Sequence, residues 1–281
     1  MRFKKYHAIG NDYLVMEAHV LGNLLTPAVV RRICDRHVGV GADGILVQGP
    51  RDAQGRFTLR IWNPDGTEAE KSGNGLRIFA RALWDAGVVQ AAPFPVVTLG
   101  GLVTCQVIEQ GKAVTVEMGQ VRFTSLDIPV TGPPREVLRE TLVVNGQTVE
   151  YSAATVGNPH CVILRDRVSV SETCALGPLI ETAPPFPHRT NVQFLEVRDR
   201  QNLHMEIWER GAGYTLASGS SSCAAAAVAH RLGLCDASVT VHMPGGQLGI
   251  EIRPDFTVRM TGPVVKVVEG ELAQEALAGV I

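Results

Sequence analysis

Two serine-led stretches have the residue types and spacing to do chemistry. Ser72-Gly73-Asn74-Gly75 opens a run in which Leu76, Phe79, Ala80 and Leu83 fall on one helical face. Ser72 or Asn74 can cap such a helix, and Gly87 can end it in a left-handed turn. A start of this kind leaves backbone N–H groups outside the helical ladder, at the positive end of the dipole. That suits a carboxylate or a phosphate. Ser218-Gly219-Ser220 repeats the device before an alanine-rich helix that stops at Gly233, 146 residues after its counterpart Gly87.

A second match runs in the same order. Gly10-Asn11-Asp12-Tyr13-Leu14-Val15 aligns with Gly157-Asn158-Pro159-His160-Cys161-Val162 at an offset of 147. Leu203–Trp208 mirrors Phe57–Trp62, and Glu209-Arg210-Gly211-Ala212-Gly213 sits where Asn63-Pro64-Asp65-Gly66 sat, at the 146 offset. Together these read as a duplicated unit.

The elements that must position these residues follow from local pattern. Strands are expected at 2–6 and 13–17 around a loop His7–Asp12, and at 45–47 and 57–62. Thr26-Pro27 starts a helix through about Cys34. The glycines of Arg36-His37-Val38-Gly39-Val40-Gly41-Ala42-Asp43-Gly44 match neither a dinucleotide fingerprint nor a Walker loop, so a tight loop feeding a strand is the reading. Strand-like runs follow at 96–104, 106–108 and 113–118, and the Pro/Gly-rich stretch Pro129–Pro134 is the linker candidate. The second half repeats the plan, with strands at 147–153, 161–164, 191–197 and 203–208, a loop at 156–160, and further strands to Val268. Each half has one dominant long helix. The fold class is therefore α+β: two pseudo-symmetric lobes, each a curled sheet around its helix, with a ligand between them. The expected division is 1–130, completed by the strand near 264–281, and 131–263.

Bulk properties narrow the function. A chain of 281 residues with 45 % hydrophobic and 19 % charged content has ample core. A net charge of −2 gives no reason to expect nucleic acid or an anionic membrane as partner. No signal peptide and no membrane-length apolar run is seen. Six scattered cysteines fit reduced thiols in a cytoplasm, and no Cys/His spacing suggests a metal site.

The ordered set Gly10-Asn11-Asp12-Tyr13, Arg36–Gly44, Asn63-Pro64-Asp65-Gly66, Ser72–Arg77, Gly157-Asn158-Pro159-His160 and Trp208–Thr215 strongly resembles the diaminopimelate epimerase family, nearly end to end. The resemblance implies two barrel-like lobes, each around a central helix. It also implies catalysis without pyridoxal phosphate or metal, and a small-molecule amino acid as substrate, and it leaves room for a homodimer. One lobe is expected to supply a base that removes the α-proton, the other an acid that protonates the opposite face. Asn11, Asn63, Asn158, Asn191, Glu209 and Arg210 would then bind the substrate's polar groups. Gly73-Asn74 and Gly219-Ser220 would hold its α-carboxylate, and His160 would tune one catalytic position. A helix N-terminus on that anion also eases loss of the neighbouring proton.

The departure lies at the centre of the mechanism. The family uses a thiol pair at the positions that here are Ser72 and Ser218. A helix N-terminus can bring a thiolate within reach near neutrality, whereas a serine base normally needs a neighbouring proton acceptor. Some members also carry Gln where this chain has Gly44. The expected activity is LL- to meso-diaminopimelate epimerisation in lysine biosynthesis, carried by Ser72, Ser218, His160 and Glu209. The alternatives are a dehydratase or double-bond isomerase acting on a small carboxylate, or a non-catalytic amino-acid binder.

Overall fold

A computed structural model describes residues 1–21 and 24–279, which divide into two compact units. The first comprises 1–116 with 262–281, the second 117–261. Pro129–Pro134 lies inside the second unit, where Thr131 N donates to Pro185 O at 3.0 Å.

In the first unit β1 (Arg2–Ala8) and β2 (Asn11–Glu17) form an antiparallel hairpin. Its turn is only Ile9 and Gly10, at φ of 48° and 93°, so the expected loop His7–Asp12 shrinks to two residues and Asn11 is already strand. A short helix α1 (Ala18–Leu21) follows. Helix α2 (Pro27–Cys34) is capped by Thr26, whose Oγ1 accepts from Val29 N. Then come β3 (Ile45–Gln48), β4 (Phe57–Trp62) and β5 (Glu68–Ala69). Helix α3 (Gly73–Asp85) buries Leu76, Ile78, Phe79 and Leu83 against β1, β2 and β7. β6 (Phe94–Thr98) and β7 (Gly101–Ile108) turn at Leu99-Gly100, so the run expected at 96–104 is split in its middle, and β8 (Ala113–Gln120) closes the series.

The second unit opens with the hairpin β9 (Glu140–Val144) and β10 (Gln147–Thr155), then β11 (Pro159–Leu164) and helix α4 (Val170–Glu181). β12 (Asn191–Val197), β13 (Asn202–Glu209) and β14 (Gly213–Thr215) precede helix α5 (Gly219–Arg231). β15 (Ser238–Met243), β16 (Gly246–Ile252) and β17 (Thr257–Pro263) follow, and β18 (Val265–Glu271) returns to pair with β1. Residues Ser221–Ala229 are all buried, and α5 packs on β10–β13, β15 and β16. The expectation of one dominant helix per half fails at α4, which lies on β12 and β13. It carries Gly177-Pro178, a pair that reads as a turn. Gly177 is what lets it approach: a Cβ there would meet Trp208 Cβ and Cγ at 2.7 Å.

The duplication is written in the pairing. In the first unit β1–β2 is antiparallel, β2–β3 parallel, β3–β4 and β4–β5 antiparallel, β4–β6 parallel, and β6–β7 and β7–β8 antiparallel. The second unit gives the same sequence of pairings from β10 to β17. In each, one helix lies in the first parallel crossover (α2 or α4) and another in the second (α3 or α5). α3 and α5 both have 13 residues and end with the equivalent glycines Gly87 and Gly233 at φ of 69° and 74°.

Candidate active site

In the first unit the site is built on the start of α3. Ser72 is extended (φ −140°, ψ 120°), and its Oγ accepts from Gly75 N at 3.0 Å, so Ser72 rather than Asn74 is the cap. The first helical bond is Leu76 N to Ser72 O, which leaves the Gly73 and Asn74 amides outside the ladder. Asn74 is buried and serves a side-chain chain: Arg77 Nη2 donates to Asn74 Oδ1 at 2.5 Å, Asn74 Nδ2 to Asn11 Oδ1 at 3.1 Å, and Asn11 Nδ2 to Asp43 Oδ2 at 2.9 Å. The structure thus brings Asn11 and Asn74 together. Asn63 stays in its turn, its Nδ2 donating to Thr67 Oγ1 at 3.0 Å.

Beneath this chain lies an ion cluster that sequence reasoning did not single out. Asp12 accepts Arg36 through two contacts (2.7 and 3.2 Å) and meets Lys5 Nζ at 2.8 Å, while Arg36 also reaches Asp43 at 2.8 Å. Burial alone would raise the Asp12 carboxyl, but the Arg36 and Lys5 contacts outweigh it and hold it down at about 2. Asp43 thereby ties Asn11 to the cluster.

In the second unit the loop before β11, the starts of β11 and β12, the end of β13 and the start of α5 carry the residues. Parallel pairing sets His160 opposite Asn191. Asn191 Nδ2 donates to Pro159 O at 2.8 Å, and its Oδ1 accepts from Arg210 N at 3.0 Å, so Asn191 pins the chain at Arg210. Glu181, another residue the sequence did not flag, is buried and accepts from Trp208 Nε1 and Gly211 N, both at 2.8 Å, while pairing with Arg189. It fixes the turn that carries Glu209 and Arg210. Arg210 itself is exposed and donates to His188 O at 3.2 Å.

His160 was expected in a loop but lies in β11, fully buried, with Nε2 2.9 Å from Asn158 Oδ1. An amide oxygen only accepts, so Nε2 carries a proton in this contact. Burial first, and the positive charge of Arg210 second, push its pKa down to about 3. The unfolded chain therefore takes up a proton below the unperturbed value of about 6.5 that the folded chain refuses. Stability from this group is whole above pH 6.5 and is lost progressively as pH falls toward 3. Urea midpoints of the natural protein should drop between pH 7 and 5, and His160→Gln should flatten that drop.

Ser218 is extended like Ser72 (φ −147°, ψ 124°) and buried, but its side chain makes no cap bond. Ser222 Oγ donates to Ser218 O at 2.8 Å, and Gln193 Nε2 to Ser221 Oγ at 3.0 Å, tying α5 to β12. Gly219 and Ser220 offer the free amides here. Burial drives the Cys34 and Cys105 thiols up to about 12 and Cys235 to about 11 and raises Cys161, so these four stay protonated, while Cys223 is buried inside α5.

The fold defines a class. A hydroxyproline epimerase from Agrobacterium vitis, solved with trans-4-hydroxy-L-proline bound, superposes with a TM-score of 0.71 over 98 % of this chain and 92 % of that one. At 14 % identity that likeness speaks for the fold alone. Sequence goes further. The diaminopimelate epimerase family model matches residues 3–124 and 152–267. "Diaminopimelate epimerase 2" of Nostoc sp. is 54 % identical over 99 % of this chain and 98 % of its own length, and the diaminopimelate epimerase of Moorella thermoacetica 41 % over 96 % and 99 %. The chain belongs to the diaminopimelate epimerase family.

Proposed function

We propose that this protein is a pyridoxal-phosphate-independent epimerase acting at the α-carbon of an amino acid, converting LL- to meso-diaminopimelate. The observation that carries the reading is the repeated serine-led helix start, once in each unit, on the same pairing scheme. The amides of Gly73, Asn74, Gly219 and Ser220 bind the α-carboxylate, and the charge they stabilise is the charge that grows when the α-proton leaves. Ser72 and Ser218 handle the proton on the two faces. Asn11, Asn63, Asn158, Asn191, Glu209 and Arg210 hold the substrate's polar groups. His160 is a neutral strut that orients Asn158, and does not carry charge near pH 7. The enzyme works in the cytoplasm on a free amino acid.

Incubation with L,L-diaminopimelate, followed by stereoisomer-resolving chromatography and mass spectrometry, tests this. The expected product is the meso isomer at unchanged mass. A product lighter by one water, or no product, would replace the epimerase with a dehydratase or a binder.

A further inference from the structure

Nothing in the family pattern explains how a serine does a thiol's work, and in the first unit the surroundings of Ser72 offer an answer. The Tyr13 hydroxyl lies 3.5 Å from Ser72 Oγ. Tyr13 is 6 % exposed, and its ring fills the space beside Gly44. A Cβ at residue 44 would stand 2.6 Å from Tyr13 Cε1 and 2.3 Å from Trp62 O. A side chain at 44 and the Tyr13 ring in this position exclude each other. The glycine is what lets the phenol reach toward the serine. Meanwhile Ser72 Oγ already accepts from Gly75 N, so its own proton and its second lone pair remain for the phenol and the substrate.

We propose that Tyr13 is the proton partner of Ser72, the two hydroxyls forming a relay from phenol to substrate carbon. The inference rests on the epimerase reading and says how its serine is made competent. In the protonating direction the α-carbanion takes the Ser72 hydroxyl proton, forming the C–H bond. The electron pair of the broken Ser72 O–H bond takes the Tyr13 proton. The negative charge ends on the phenolate oxygen, which recovers a proton from solvent. In the reverse direction the phenolate receives the Ser72 proton while Ser72 Oγ takes the α-proton, and the carbon's electron pair spreads into the α-carboxylate. A phenol is a far stronger acid than a serine alcohol, so passing the charge from Ser72 to Tyr13 lowers the cost of moving the proton. The Gly75 N–H remains on Ser72 Oγ throughout and steadies any charge passing through it. An O···O separation of 3.5 Å is longer than a formed hydroxyl bond, as catalytic contacts commonly are without substrate.

Tyr13→Phe is made in two backgrounds, the natural Ser72 and Ser72→Cys, and α-proton exchange of L,L-diaminopimelate in D2O is followed. With Ser72, exchange should fall about 10²-fold or more with KM little changed. With Ser72→Cys the same change should cost less than about threefold, because a thiol reaches its thiolate without the phenol. A merely structural role would cost both backgrounds alike. The second measurement needs no substrate. In Cys174→Ser/Ser72→Cys protein, which lacks the one exposed native thiol, the alkylation rate against pH gives the pKa of the introduced thiol. Adding Tyr13→Phe should raise it by about one unit, since a hydrogen bond to the charged form is lost. Equal losses in both backgrounds, or an unmoved thiol pKa, overturn the pairing. A raised thiol pKa in a protein that exchanges no α-proton upholds the pairing and removes the epimerase reading instead.

Discussion

Ser72→Cys/Ser218→Cys protein should interconvert the stereoisomers of diaminopimelate about 10²–10⁴-fold faster than the natural chain, the range that a well-matched acid–base pair contributes. The argument is one of proton affinity. Ser218 sits at a helix start with no cap bond on its side chain, and Ser72 has a single capping amide. A helix terminus moves a pKa by a few units at most, enough for a thiol near 8.5 but not for an alcohol. The backbone that receives the new thiols is already extended at both positions, so the exchange requires no rearrangement. Loss of the Ser72 cap should cost about 1 kcal/mol, visible as a small drop in the unfolding midpoint. Initial rates of isomer interconversion check the gain. Equal rates in both proteins would mean that the serines do not carry the proton.

Asp12→Ala should be the most destabilising single change among the site-supporting residues, by about 3 kcal/mol, and should also loosen substrate binding. Asp12 is largely buried and holds Lys5 and Arg36. Removing it leaves a mostly buried ammonium with no countercharge among the described residues and only the Gly41 carbonyl, at 2.6 Å, as partner. Arg36 is half exposed and water recovers part of its loss, which keeps the figure near the low end for broken buried pairs. The Asp12 carboxyl is depressed in the folded state, so its contribution is present above pH about 4 and is lost as pH falls toward about 2. Urea titrations should therefore show the natural protein weakening steeply below pH 4 and Asp12→Ala much less so. This window overlaps that of His160 between pH about 4 and 3 and extends below it, so titrations of Asp12→Ala and His160→Gln side by side separate the two. Asp43, whose N–H loses its bond to Asp12 Oδ1 (3.1 Å), also holds Asn11 less firmly, and KM should rise more than kcat falls.

Much of this was legible in the chain because it depends on local chemistry. Ser72 and Gly87 bracket α3 by cap and left-handed turn, Thr26-Pro27 opens α2, and the 146-residue offset reappears as two equal pairing schemes. What was not legible depended on partners distant in sequence or on a misleading dipeptide. Gly177-Pro178 hid α4, although Ser169 caps it and Trp208 accepts its glycine face. Asn145-Gly146 was a direct signal for the β9–β10 hairpin, with both residues at positive φ (51° and 75°). His7–Asp12 looked long enough for a loop because nothing nearby marks Ile9 as the residue that takes a positive φ. In the site, Asn11 and Asn74 stood in quoted motifs, but their bond spans 63 residues. Tyr13 also stood in a quoted motif, yet its meaning depends on the emptiness at Gly44 and on Ser72 across the fold.

Proton NMR of the purified natural protein with L,L-diaminopimelate in D2O tests the central claim most directly. The account predicts loss of the α-proton signal together with appearance of the meso isomer, slow beside the double thiol variant. Retention of the α-proton signal in the natural protein, over times that convert the substrate fully with the thiol variant, would contradict it.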